Sequence, residues 1–267
     1  MRVRIAIAGA VIGTAAGVSI SRAARSWRTW GVDPSEAVKP LPGDELVEAP
    51  TAVETRGLTI DAPPEAVWPW LVQMGFDRAG WYSYDALDMR GASADRILPA
   101  FQDLAIGDVV PVSQDGGFTV KVVDPGKALV LYTDTALVEE QAKGHADREV
   151  ETPTGLAATG AFLRQAPRQF AASWAFALEP VEGGRTRLVE RFRVWFGASG
   201  PSFRVVGPMM GFGVFVMVRR QLLGIAERAV RTAVAPPLPV IPDRPRARSN
   251  GHAVAKVATE ELAGSVV

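Results

Sequence analysis

One glutamate stands where an alternating strand should carry an apolar residue. From Arg185 to Phe196 the sequence alternates: Arg185, Arg187, Arg191 and Arg193 share one face, and Leu188, Phe192, Val194 and Phe196 share the other. Glu190 falls on the apolar side. A carboxylate enclosed among apolar side chains is pushed towards its protonated form by desolvation, unless a cation pairs with it. It can then orient a bound molecule or move a proton. The alternative is an acid at the cavity rim or in a structural ion pair.

Asp85 is the second candidate acid, three residues before Asp88 and just after an aromatic loop. Paired carboxylates can divide general acid and base work. A helix cap plus a surface acid is the competing reading. Histidine chemistry has little support: His145 lies in an irregular stretch and His252 near the C-terminus, so neither imidazole is held for a triad or a metal cluster. The chain has no cysteine, which excludes disulfides, thiolate metal sites and a thiol nucleophile. No metal or cofactor is expected, and the carboxylates alone do not make the chain an enzyme. Trp81, Tyr82, Tyr84, Trp174, Phe176 and Phe192 are candidates for a cavity lining, with Met217 as an adaptable apolar wall beside them. Some of these are expected to be plain core.

These residues need elements to position them. Asp33-Pro34-Ser35-Glu36 reads as an N-cap, a proline at N1 and an acid at N3, so a short helix begins there. The rest of residues 31–56 is rich in proline and reads as a linker. Gly57–Asp61 is a short strand. A helix opens at Pro63-Pro64 and carries Val67, Trp70, Leu71 and Met74 on one face; Gly75 ends it. Strands are expected at Gly107–Val112, Phe118–Val123 and Ala128–Thr133. Residues 134–168 read as an irregular insertion with room for helical stretches. Strands Ala172–Leu178 and Arg185–Phe196 follow, joined by a turn around Pro180 to Gly184. If Leu178 opposes Thr186, Trp174 opposes Glu190. A long helix then runs from Phe203 or Pro208 to Ala233, with Phe215, Val218, Leu222, Ile225 and Ala229 on one face. Residues 235–267 are proline- and arginine-containing and read as a disordered tail.

The 267 residues carry 29 basic and 29 acidic side chains, a balance that does not suit a nucleic-acid domain. The distribution is uneven, since residues 1–30 hold five arginines and no acid. Within them, Ile5 to Ser21 carries no charge. As a helix it would span about 25 Å, slightly less than the roughly 30 Å hydrocarbon core. Flanking arginines can snorkel, and Trp27 and Trp30 suit an interface. We therefore read residues 1–30 as a membrane anchor. A signal peptide (a secreted protein) and a soluble element (a cytoplasmic one) are the alternatives. Gly9, Gly13 and Gly17 share a helical face that permits a homodimer contact. Val205–Val218 is uncharged but too short for a second span.

The segments IDAPPEAVWPWLVQMG, GWYSYDALD, SADRILPAFQDLAIGD and SWAFALEP…GGRTRL resemble the SRPBCC, or START-like, superfamily, which includes polyketide cyclases and the birch-pollen allergen type. Trp30-Gly31 and Pro42-Gly43-Asp44-Glu45-Leu46-Val47 further resemble an actinobacterial branch with an N-terminal apolar segment. The likeness covers residues 27–231. It implies an α+β helix-grip fold, a curved antiparallel sheet around a long C-terminal helix, over residues 57–234. It also implies a cavity for a hydrophobic small molecule such as a lipid, polyketide or quinone. Cyclase- or dehydratase-like catalysis through Glu190 or Asp85, and a ligand-free interaction protein, are the other functions consistent with it. No catalytic signature transfers residue by residue.

Overall fold

The structure is a computed structural model, and it describes residues 27–85, 92–113, 116–143, 169–197 and 203–234. The proposed membrane segment 5–21, its glycines, both histidines, Asp88 and the C-terminal tail lie outside the described residues. No helix among the described residues is long and apolar enough to cross a membrane.

Six strands form one antiparallel sheet: β1 (Ala52–Ile60), β2 (Val109–Ser113), β3 (Gly116–Asp124), β4 (Ala128–Asp134), β5 (Phe170–Val181) and β6 (Arg185–Phe196). Their order across the sheet is β1-β6-β5-β4-β3-β2. Among the described residues four α-helices accompany them: α1 (Pro34–Val38), α2 (Pro64–Val72), α3 (Thr135–Lys143) and α4 (Phe203–Val234). The sheet curves, and α4 packs against α2 and β1. This is the expected α+β helix-grip architecture.

The inner face of the sheet makes the core. Leu129, Leu131, Phe176, Leu178 and Leu188 are all buried, as are Leu222, Ile225 and Ala229 of α4. The α2 face of Val67, Trp70 and Leu71 completes it, with Met74 just beyond the helix end. Within α4, Gly224 lets the loop after α2 approach: a Cβ there would sit 2.2 Å from the Tyr82 carbonyl oxygen.

The β5–β6 register differs from expectation. Leu178 pairs with Leu188, Phe176 with Glu190 and Trp174 with Phe192. β5 continues through Pro180 to Val181, which pairs with Arg185, so the connection is shorter than the residues around Pro180 implied. The shift is two residues, so each side chain keeps its face.

Residues 31–56 are not a free linker. Asp33 caps α1 by accepting from the Ser35 and Glu36 amides at 2.8 and 2.9 Å, as expected, but the segment then runs along the outer sheet face as a strap. Strand β1 begins at Ala52, earlier than Gly57. The arginines that alternation placed towards solvent hold the strap down. Arg187 binds Glu36 through two nitrogens, at 2.7 and 2.5 Å. Arg191 donates to Asp44 at 2.7 Å, to the Lys39 carbonyl at 2.8 Å and to Thr55 at 3.0 Å. Arg193 donates to the Val47 carbonyl at 2.9 Å. Charge-assisted bonds to carbonyls and acids satisfy a strap that has no strand partner.

The two tryptophans expected at an interface make contacts within the fold. Trp27 is buried against Phe212 and Phe215 of α4, with ring centroids 6.4 and 6.1 Å apart. Trp30 lies under the Arg219 guanidinium at 5.1 Å. Folded structure therefore reaches back to Trp27. The expected irregular insertion at 134–168 begins as helix α3; residues 144–168 lie outside the described residues.

Candidate functional site

A cleft of about 280 Å³ lies between the loop after α2, strands β2 and β5, and α4. Trp81 and Trp174 form its aromatic wall, stacked at 5.5 Å with planes 24° apart. Val112, Val214, Met217 and Val218 add apolar surface, and Ser83 and Gln221 are its polar members. A mostly apolar concavity with few polar groups is the usual form of a small-molecule site.

Local structure explains the wall. Gly80 has φ +84°, and Tyr82 takes the left-handed region at φ +56°. Tyr82 is locked there: its amide donates to Ser93 Oγ at 3.1 Å, and its hydroxyl accepts from Gln73 Nε2 at 2.9 Å. Arg228 lies 4.7 Å over its ring and Trp70 meets it edge-on at 5.7 Å. Ser83 Oγ donates to the Met217 carbonyl at 2.9 Å, tying the loop to α4.

Of the expected lining residues, Trp81, Trp174 and Met217 meet in the cleft. Tyr82 does not line it, being the buried anchor of the loop, and burial pushes its hydroxyl pKa up. Tyr84 is 42% exposed, because the turn at Tyr82 sends the chain outward. Phe176 is fully buried core. Phe192 lies beyond Trp174, at 6.2 Å. Asp85 accepts from Ser93 Oγ at 2.5 Å and so braces the loop rather than facing the cleft. Ser83 and Gln221 were missed. Gln221 had a signal, since it follows Val218 by three on the buried face of α4 and is 2% exposed.

Glu190 is fully buried, as its inward position implied, but it does not line the cleft. It sits behind Trp174, whose indole N–H donates to Oε1 at 2.8 Å. Its other oxygen accepts from Arg56 Nη1 at 3.3 Å. Arg56 Nη2 binds Glu54, and Phe215 lies 5.7 Å from the guanidinium carbon. Two carboxylates thus share one guanidinium, with Arg56 itself fully buried. Arg56 and Glu54 lie two residues apart on β1, but the short strand expected there began at Gly57 and left them out. Burial, opposed by Arg56 and reinforced by Glu54, raises the Glu190 carboxyl from 4.5 to about 7. Among the described residues no group of three or more histidines and acids could hold a metal ion.

The folded protein keeps a proton that the unfolded chain releases above 4.5, so this stabilisation is full below that pH and is lost as pH rises through about 7. Glu190→Gln mimics the protonated acid. Between pH 5 and pH 8, its urea-derived stability relative to wild type should therefore rise by on the order of 2–3 kcal/mol. Parallel profiles for the two proteins would show that Glu190 does not titrate there.

No family model and no curated protein matches the chain. Solved structures do. A Mesorhizobium loti protein is 16% identical over 67% of this chain and 97% of its own, with a TM-score of 0.33. An Arthrobacter aurescens protein is 13% identical over 69% and 88%, TM-score 0.34. An Arabidopsis thaliana member of the major latex protein family is 14% identical over 67% and 94%, TM-score 0.28. At these scores the likeness is loose, and the architecture stands on the strand order and helix placement described above.

Proposed function

We propose that the protein binds a hydrophobic small molecule, of lipid, polyketide or quinone character, in the cleft between Trp81, Trp174 and α4. The supporting observation is the cleft itself: two stacked indoles face an apolar helix surface, with Ser83 and Gln221 as the polar members of the lining. Burial at about 25 cal/mol per Å² of apolar surface supplies the affinity. The fluorescent probe N-phenyl-1-naphthylamine tests it. Wild type should bind the probe, and Met217→Trp, which fills part of the cleft, should weaken binding about tenfold. Equal binding by both would reject the cleft as the site.

Catalysis through Glu190 has less support, because Trp174 stands between its carboxyl and the cleft. Asp85 is bound to Ser93. Both are better read as positioning groups.

Residues 5–21 are proposed to tether the domain to a membrane, on the strength of their uncharged run and flanking arginines. Gly9, Gly13 and Gly17 would provide a homodimer face. Because Trp27 is buried, cutting after residue 26 spares the folded part. Truncated protein should move from the membrane to the soluble fraction on cell fractionation. Full-length protein already soluble without detergent would contradict the tether.

A further inference from the structure

The concave sheet face holds a second chamber beyond the aromatic wall. Phe118 and Phe192 pack on Trp174 at 5.7 and 6.2 Å and separate it from the cleft. Its volume is about 380 Å³, within the range of small-molecule sites. Phe170, Phe192, Phe196, Phe118 and Val138 line it, and Val112 stands at the border of both cavities.

Its walls are held in place. At one end of α3, the Phe170 amide donates to Thr135 Oγ1 at 2.8 Å. At the other end, the Gly117 amide donates to Gln141 Oε1 at 2.9 Å. The chamber is thus part of the built fold and not a gap under a loose helix.

One polar atom in it has no partner. Thr133 lines the chamber from β4 opposite Ala172, is 6% exposed, and its Oγ1 makes no hydrogen bond. A buried hydroxyl left unpaired is unfavourable, and native structures rarely keep one without a reason. A trapped water is a poor answer, since an ordered water needs two to four polar partners and this wall is mostly phenyl and aliphatic. A ligand that brings its own apolar body and one oxygen satisfies both requirements. A hydroxyl can donate or accept, so a phenol or a ketone would serve.

We propose that this chamber is a second ligand site, taking a flat aromatic molecule with a single hydroxyl or carbonyl directed at Thr133. It does not depend on what occupies the cleft. The four phenyl rings set the shape, and Thr133 selects the oxygenated molecule over its hydrocarbon analogue.

The test compares 2-naphthol with naphthalene by equilibrium dialysis against the full-length protein. Thr133→Val keeps the shape and removes the hydroxyl. It should weaken 2-naphthol binding about tenfold and leave naphthalene within about twofold. Ala172→Leu, which intrudes on the chamber, should weaken both. Met217→Trp, which obstructs the cleft, should preserve the tenfold effect of Thr133→Val, so failure of the cleft reading and failure of this one are distinguishable. Equal 2-naphthol affinity in wild type and Thr133→Val, or no binding to wild type, would overturn the proposal. So would loss of 2-naphthol binding in Met217→Trp alone.

Discussion

Arg56→Met is expected to lower the stability of the protein by about 3–5 kcal/mol at pH 8, the range found when one partner of a buried ion pair is removed. The reason is local. Arg56 is the only cation bound to Glu190 and Glu54 among the described contacts, and all three lie in the interior. Methionine matches the length of the stem but leaves two carboxylates facing each other in an apolar setting. The loss should shrink at pH 5, where Glu190 takes up a proton. It should also shrink when Glu190→Gln is added, because the amide needs no counter-charge. Urea unfolding of the two single variants and the double variant at both pH values measures this. A loss below about 1 kcal/mol at pH 8, or no recovery in the double variant, would mean that Arg56 is solvated or differently paired.

Gly224→Val should be similarly damaging, at about 3 kcal/mol, through crowding rather than charge. Glycine in a helix interior normally invites replacement, since other residues favour the helix by up to about 1 kcal/mol. Here the gain is outweighed. The Tyr82 carbonyl oxygen lies 2.2 Å, and its Cβ 2.9 Å, from where a Cβ would stand. That backbone cannot retreat easily, because Tyr82 is held by Ser93, Gln73, Trp70 and Arg228 around a left-handed turn. Displacing the turn also moves Trp81 and Ser83, its chain neighbours in the cleft. The variant should therefore lose both thermal stability and N-phenyl-1-naphthylamine binding. A variant with unchanged melting temperature and probe affinity would refute the close approach.

Much of the frame was legible because one periodicity dominated it. Strand β6 has the bounds its alternation implied, and parity alone put Glu190 inside. The apolar stripe of α4 and the Asp33 cap were equally plain. What was hidden depended on partners distant in sequence. The strap could not be seen, since its residues have no period and its anchors, Arg187, Arg191 and Arg193, look like an ordinary solvent face until Glu36 and Asp44 arrive. The register of β5 on β6 depended on whether Pro180 would end the strand, and it does not. Within the site, aromatic residue type alone did not separate Trp81, which lines the cleft, from Tyr82, which turns into the core. A single left-handed residue decides that, and composition does not show it. Arg56 was overlooked for a related reason: strand β1 starts five residues earlier than its apolar stretch implied.

The placement of Glu190 changes what the interior acid is for. It touches the cleft only through the Trp174 indole, so its proton can influence how that ring is held without meeting a ligand. One hydrogen bond links the Trp174 wall of the cleft to the Glu54–Arg56–Glu190 cluster. In the proposed function, the cleft carries ligand binding and the acid stands behind its wall.

Native mass spectrometry of full-length protein taken from its own cells tests the central claim most directly. Wild type should carry a co-purifying apolar small molecule, and Met217→Trp should show mainly the bare chain. Bare chain in both proteins, or the same adduct retained equally by Met217→Trp, would contradict a ligand held between Trp81, Trp174 and α4.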